Sequence, residues 1–326
     1  MDKTGLILMK IRNARTIIGV VIFLTIILAM VSYVTLTGSL SILQVLLNGI
    51  LMGGLYGLMA MGLALIFGIM KIINVCHGEF ILLGAYVTFW LNYIFSVNPL
   101  LTLPISFLIL FLIGLPIGKF LMNRSLKFGV DPPLLVAFGI SITMQGFMRL
   151  LWSATPRGVF MRYETWVLPG GIAVSPMRLM AFVAAVLGLS LLYTFLTKTL
   201  PGKALRAVSM DRPTASLMGI NPDRINTLAY GLGAALAGVT GSLVAIIFSF
   251  DPASGGLYIG RALCVIVLGG VGHVLGTLAG GLFLGVAENM ASFFLGDAIR
   301  EGVAYVIFLL VLLFRPTGLF AKYRAF

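Results

Sequence analysis

Long apolar runs dominate this sequence, and their length restricts the fold more than any other feature. A helix needs about 20 mostly apolar residues to cross the hydrocarbon core of a bilayer, and such runs follow one another along the chain. They are continuous rather than alternating, which favours helices over strands. The sequence therefore predicts an all-α, polytopic transmembrane helix bundle of eight to ten spans. We place these spans at 17–36, 42–70, 79–96, 100–118, 133–152, 178–197, 225–249, 258–272, 274–296 and 302–314.

The shortest of these spans leave the number of crossings open. Segments 258–272 and 302–314 are short for a full crossing, and one of them, or the segment around 71–78, is a candidate re-entrant segment. Ten spans is our preferred count. Segment 17–36 follows a basic tail, as in a signal peptide, but no small-residue cleavage site follows it. It therefore predicts an uncleaved N-terminal anchor helix.

The composition excludes several classes of protein. Of 326 residues, 60% are apolar and only 10% are charged, against about 45–50% and about 25% in an ordinary soluble domain. So few charges do not cover the surface of a soluble protein of this size. The basic residues lie in short loops between apolar runs rather than on one polar face. A soluble enzyme, a disordered chain and a nucleic-acid partner are therefore excluded.

The charges predict the orientation of the chain. The 22 lysines and arginines outnumber the 10 acids and give a net charge of +12. Cytoplasmic loops of membrane proteins carry an excess of Lys and Arg, and most of these basic residues share one side if ten spans leave both termini in the cytoplasm. The sequence thus predicts one integral membrane domain over 1–326, with 198–224 as its largest cytoplasmic loop.

Sequence motifs for catalysis and for nucleotide or metal binding are missing. The chain has no G-x-x-x-x-G-K-[ST] phosphate-binding loop, and its two histidines, His77 and His273, are far apart in sequence. Metal sites of the zinc type need closely spaced His and Cys ligands. The two cysteines, Cys76 and Cys264, lie in apolar context and predict no disulfide. We therefore predict no catalytic residue, no metal site and no cofactor bound by this chain.

Glycines recur at helical spacing, which predicts close helix packing. The chain has 39 glycines, and Gly272, Gly276 and Gly280 follow one another in steps of four. Small residues four apart allow helix backbones to approach closely in lipid. We expect these three residues to serve helix packing in a compact bundle.

Polar residues interrupt the apolar sequence at 71–79. Asn74, His77, Gly78 and Glu79 lie in this segment, and ionisable groups at membrane depth are tolerated only against protein or water. One interpretation places these four residues along a translocation pathway or its gate. The other is a short polar turn at the cytoplasmic surface, with Glu79 stabilising the start of the next helix.

A second polar pair lies within a predicted span. Glu288 and Asn289 are flanked by apolar residues, and a carboxylate in such a place is costly unless it is paired or hydrated. The pair belongs either to a pathway or subunit interface, or to a structural interaction within the bundle. An ion pair between Glu288 and Arg261 is one such structural interaction.

Helix start and stop signals organise the 198–224 loop. Pro201 and Gly202 interrupt the preceding helix, and residues 203–210 predict a short helix. Asp211 is a start signal for a second short helix that ends at Gly219, and Asn221 caps the next span. Ala215 and Gly219 are expected to leave a smooth patch for a partner protein. The alternative is an interfacial helix that binds anionic membrane lipid through Lys and Arg.

Four blocks of the sequence resemble one known family. In the same order, they resemble the H-type permease subunits of branched-chain amino acid ABC transporters, over about residues 42–320. The blocks are Gly49–Tyr86, Gly202–Leu243 (GKALRAVSMDRPTASLMGINPDRINTLAYGLGAALAGVTGSL), Val265–Glu288 (VIVLGGVGHVLGTLAGGLFLGVAE) and Arg315–Phe320 (RPTGLF).

The resemblance implies an import function shared among several subunits. It implies a bacterial inner-membrane permease that moves leucine, isoleucine and valine inward by alternating access. An M-type permease, two cytoplasmic ATPase subunits and a periplasmic binding protein would be its partners, and the ATPases would use the ATP and Mg. Coupling loops of ABC permeases carry Glu-Ala-Ala, three residues and then Gly, a pattern that is only partly kept here. The coupling residues it implies are Arg206, Asp211, Ala215, Gly219, Ile220 and Asn221.

Three other functions stay open at this point. Permeases for urea, short amides or other amino acids share the four blocks. An ion-coupled carrier that works alone would use Glu288 or Glu79 as its proton site. A membrane-embedded enzyme would need a clustered catalytic set, which the sequence does not contain.

Overall fold

The computed structural model describes residues 40–129, 131–159, 161, 163–168, 171–270, 272–314 and 318. The predicted anchor helix at 17–36 lies outside these residues, as does most of the block Arg315–Phe320.

Helices account for every predicted span within the described residues. Seven helical stretches are long and apolar enough to cross a membrane, and Gly255–Gly269 is a shorter apolar helix. The all-α polytopic bundle is confirmed. The α-helices are α1 Leu40–Met70, α2 His77–Phe95, α3 Thr102–Pro116, α4 Pro132–Trp152, α5 Pro176–Lys198, α6 Leu200–Met210, α7 Arg212–Leu217, α8 Pro222–Ile247, α9 Gly255–Gly269, α10 Val274–Leu295 and α11 Arg300–Phe314.

Short helical turns extend two of these helices. The turn Pro99–Leu101 precedes α3, and the turns Ile117–Met122, Asn123–Ser125 and Leu126–Phe128 follow it. The turn Asp297–Ile299 precedes α11.

One small sheet lies in the loop between α4 and α5, where we expected no strand. Strand β1, Trp166–Leu168, pairs antiparallel with β2, Ile172–Val174. The Gln44 side chain of α1 holds the hairpin, since it donates to the Ala173 carbonyl and accepts from the Ala173 N–H, both at 2.6 Å. Gln44 thus takes the place of a neighbouring strand beside β2.

Helix α1 forms the centre of the bundle. Its side chains from Leu51 to Ile66 are buried throughout, and α8 is the next most buried membrane-length helix. Helix α10 crosses α1 with backbone against backbone. A Cβ atom at Gly53 would lie 2.6 Å from the Leu282 Cα, and one at Gly285 would lie 2.4 Å from the Gly49 carbonyl oxygen. Glycine permits this approach, which maximises van der Waals contact where lipid offers no hydrophobic driving force.

Helix α4 lies at the edge of the bundle. Only Pro133, Ala137 and Met148 are buried along its length, and its exposed side chains are mostly large and apolar. A Cβ atom at Gly139 or Gly146 would meet nothing within 4 Å. This helix therefore has few contacts that hold it to the rest of the chain.

The chain between α1 and α2 returns into the bundle. Lys71 takes a left-handed conformation (φ 57°) directly after α1, and the His77 Nε2 atom donates to the carbonyl of Met59, near the middle of α1, at 3.0 Å. The helix from Met59 to Met70 rises about 16 Å, a distance that the six residues 71–76 can span when extended. Helix α2 therefore begins beside the middle of α1 rather than at its end.

Candidate functional site

The four polar-segment residues Asn74, His77, Gly78 and Glu79 are buried, whereas Lys71 and Ile73 are exposed. Glu79 lies in the first turn of α2, as the interpretation as a polar turn expected, but the turn that leads to it does not lie at the surface. Asn74 and His77 are fully buried and Glu79 is 4% exposed. The Asn74 Oδ1 atom accepts hydrogen bonds from the Tyr230 hydroxyl of α8 at 3.1 Å and from the Cys76 thiol at 2.9 Å. The bond from Tyr230, on a distant helix, and the bond from Cys76, within the same segment, supply the partners that a polar loop needs inside a bundle.

Several polar atoms of this segment keep unused bonding capacity. The Asn74 Nδ2, His77 Nδ1 and Glu79 Oε2 atoms have no hydrogen-bond partner among the described residues, although all three are buried. Gly78 lies against Gly255, the first residue of α9, since a Cβ atom at Gly78 would be 2.1 Å from the Gly255 carbonyl oxygen. The structure thus gathers Asn74, His77, Gly78 and Glu79 in the interior, where the first turns of α2 and α9 meet.

Glu288 forms a second buried polar centre. Its carboxylate is fully buried and accepts from the Tyr56 hydroxyl at 2.6 Å and from the Arg261 Nε atom at 3.3 Å. The Arg300 Nε atom lies 3.7 Å from the same carboxylate. The Asn289 Oδ1 atom accepts from Arg300 at 3.1 Å. The ion pair with Arg261 that the sequence offered as a structural explanation is therefore present.

Four helices contribute side chains to this second polar centre. Tyr56 belongs to α1, Arg261 to α9, Glu288 to α10 and Arg300 to α11. A buried carboxylate that loses its partners costs several kcal/mol, so the contacts of Glu288 with the two arginines fix these helices together. Arg261 also contacts the exposed Glu301 at 3.5 Å, which continues the network toward the surface.

The 198–224 loop folds as two short helices. Thr199 caps α6 by accepting from the Gly202 N–H at 3.1 Å, so the helix starts at Leu200 rather than at the predicted 203. A Cβ atom at Gly202 would lie 2.0 Å from the Phe195 carbonyl oxygen, which makes the sharp turn after α5 dependent on glycine. Arg206 is half-buried on α6.

The predicted caps of α7 and α8 are confirmed. Asp211 accepts from the Thr214 N–H at 3.2 Å and from the Thr214 hydroxyl, and these bonds hold the pKa of the Asp211 carboxyl below its usual value. Asn221 caps α8 by accepting from the N–H groups of Asp223 and Arg224. Gly219 has a φ of 83° and open space around its Cα.

The exposed surface of this loop differs from the predicted smooth patch. Ala215 is buried against the chain itself, and Ile220 beside Gly219 is half-buried. Four large apolar side chains of the loop protrude instead: Leu200 is 81% exposed, Met210 76%, Leu217 88% and Met218 79%. Sequence reasoning missed them because it sought small residues. Large apolar residues around the Asp211 start signal, in a loop outside the spans, were the available clue.

The three packing glycines meet backbone. A Cβ atom at Gly276 would lie 2.0 Å from the Gly269 carbonyl oxygen, and one at Gly280 would lie 2.7 Å from that of Val265, so both residues seat α10 on α9. Gly272 (φ 80°) lies in the turn between these helices, against Gly68 of α1.

Membrane-length helices around buried polar centres, with short helices exposed outside the spans, define a polytopic membrane transport protein. Residues 45–314 match the family described as “Branched-chain amino acid transport system / permease component”. The chain belongs to this family of permeases.

Relatives match over most of the chain. The chain is 31% identical over 299 residues to the high-affinity branched-chain amino acid transport system permease protein BraD of Pseudomonas aeruginosa, covering 86% of this chain and 96% of BraD. It is 28% identical to LivH of Escherichia coli, with the same coverage of both chains. It is 26% identical to LivM of Escherichia coli, covering 83% of this chain and 68% of LivM.

A solved structure also resembles this chain. It is “PsaBC from Streptococcus pneumoniae in complex with Fab”, with a TM-score of 0.45 and 12% identity, covering 81% of this chain and 90% of that chain.

Proposed function

We propose that this chain is the H-type permease subunit of a bacterial ABC importer for branched-chain amino acids. The match to BraD, over 96% of its length, carries this proposal, because that relative is named for high-affinity transport of these amino acids. The buried polar segment 71–79 supports it, since ionisable groups inside a bundle mark substrate pathways in membrane transporters. Leucine, isoleucine and valine are the expected substrates.

The proposed assembly has several other subunits. An M-type permease would pair with this chain in the inner membrane, and the similarity to LivM supports a partner of the same fold. Two cytoplasmic ATPases would bind ATP and Mg and supply the energy. A periplasmic binding protein would deliver the substrate. In this arrangement, both termini of the chain are cytoplasmic, and the chain itself catalyses no reaction.

The 198–224 loop is the proposed contact with the ATPases. Met210, Leu217 and Met218 protrude from it, and apolar anchors that enter a pocket supply most of the energy of a protein interface. Asp211 and Asn221 hold the two helices around these anchors in place through their caps. Closure of the ATPase pair would push α6 and α7 and reorient the bundle between inward-open and outward-open states.

Reconstitution in liposomes tests this function. The chain, its M-type partner, the two ATPases and the binding protein are assembled, and uptake of labelled leucine and of urea is measured with and without ATP. ATP-dependent leucine uptake is the expected result. Urea uptake without leucine uptake would assign the chain to the amide permeases. Proton-driven uptake by this chain alone would refute an ABC mechanism.

A further inference from the structure

Glu79 lies where the N-termini of two helices meet. It belongs to the first turn of α2, and its Oε1 atom lies 2.8 Å from where a Cβ atom at Gly255, the first residue of α9, would stand. The N-terminus of a helix carries a partial positive charge and stabilises a nearby carboxylate. Two such ends therefore place partial positive charge beside the Glu79 carboxylate without any cationic side chain.

Glu79 differs from Glu288 in its partners. Arg261 and Arg300 both contact Glu288, whereas no ion pair within the described part of the chain reaches Glu79. The Glu79 Oε2 atom has no hydrogen-bond partner there, although the residue is 4% exposed. A carboxylate oxygen that accepts no hydrogen bond in a buried place is costly. It is therefore ready to accept a cationic donor.

The cover over Glu79 is loosely held. The Ser141 side chain of α4 lies near the Glu79 carboxylate, and α4 buries only Pro133, Ala137 and Met148 along its length. A shift of α4 relative to the bundle would remove Ser141 and uncover the carboxylate. Few buried apolar contacts oppose such a shift, so it costs little in the free energy of packing.

We propose that Glu79 receives the ammonium group of the amino-acid substrate as it passes through the permease, when α4 moves aside and Ser141 withdraws. An ammonium group supplies the N–H donor that the Glu79 Oε2 atom lacks, in a charge-assisted hydrogen bond. This inference rests on the proposed function and deepens it, because urea and short amides carry no positive charge. The site therefore selects zwitterionic amino acids over neutral amides.

Substitutions at Glu79 in the complete importer test this inference. Glu79→Gln keeps the shape of the side chain and removes its charge, Glu79→Asp keeps the charge, and Glu164→Gln removes an exposed carboxylate in the loop between α4 and α5. We expect Glu79→Gln to lower the maximal rate of leucine uptake by about tenfold or more, the effect of losing a hydrogen bond to a charged group. Glu79→Asp should recover part of the rate, and Glu164→Gln should match the wild type.

The outcomes separate this inference from the proposed function. A wild-type importer that takes up urea but not leucine refutes the proposed function. A wild type that takes up leucine, with Glu79→Gln at the same rate, leaves that function standing and overturns the role of Glu79. Equal losses in the Gln and Asp variants overturn it as well, since they show a purely structural residue.

A measurement on the wild-type importer guards against variants that fail to assemble. A hydrophobic carbodiimide modifies carboxyl groups inside membrane proteins, and mass spectrometry follows its reaction at Glu79. Leucine supplied during turnover should slow this reaction, whereas urea should not. Equal reaction rates with and without leucine would overturn the proposal.

Discussion

Because α1 and α10 are in backbone contact where they cross, we predict that one methyl group added at the crossing forces the two helices apart. In Gly53→Ala, the new Cβ atom would lie 2.6 Å from the Leu282 Cα and 2.7 Å from the Gly281 carbonyl oxygen. Carbon atoms pack best at about 3.5–4.0 Å, so the helices must part locally by about 1 Å. Both neighbours are backbone atoms and have no rotamer to move away. Overpacking of this kind costs about 1–3 kcal/mol.

Gly146→Ala in α4 is the matched control, because its Cβ atom would meet nothing within 4 Å. Alanine in a helix interior should stabilise this variant by about 0.5–1 kcal/mol. The same gain applies to Gly53→Ala, so the free energies of unfolding of the two purified variants, measured by titrating detergent micelles with dodecyl sulfate, should differ by the overpacking cost alone, about 1–3 kcal/mol. Equal values for the two variants would refute direct backbone contact between α1 and α10.

Other perturbations probe the ion network and the coupling loop. Glu288→Gln leaves Arg261 without its buried partner and should destabilise the chain by about 3–5 kcal/mol; an unchanged unfolding temperature would contradict this. Gly219→Leu should abolish transport and ATPase co-purification, whereas Gly219→Asn, which tolerates positive φ, should keep both. Leu217→Ser should also weaken co-purification, and full retention would exclude Leu217 as an anchor. The lowered pKa of Asp211 means that its cap on α7 stabilises the helix above the usual carboxyl pKa and is lost as pH falls through the lowered value. The protection factors of the α7 amides, which are their exchange rates corrected for the intrinsic effect of pH, should then fall on acidification in the wild type but not in Asp211→Ala.

Local signals in the sequence predicted the helices and their ends. Continuous apolar runs predict the spans because a helix that crosses the hydrocarbon core needs about 20 mostly apolar residues. Asp211 and Asn221 were identified as caps because a cap depends on residues only two or three positions away. The same locality explains the turn at Gly219.

Long-range contacts explain what the sequence did not predict. The burial of segment 71–79 depends on Tyr230 and Gly255, more than 150 residues further along the chain. A polar stretch looks the same in sequence whether it lies at a surface or finds distant partners inside. Likewise, Tyr56 and Arg300 belong to the second polar centre only because the fold brings them next to Glu288. Patterns of spacing along one segment carry no information about such pairs.

The central position of α1 has a consequence for biosynthesis. Helix α1 leaves the ribosome early, yet α8 and α10, which enclose it, begin at Pro222 and Val274. The glycine-bearing face of α1 therefore stays in contact with lipid or with the insertion machinery until α8 and α10 have entered the membrane. A chain truncated before α10 would leave the seam at Gly49 and Gly53 open, and membrane quality-control proteases should remove it faster than a chain truncated after α10.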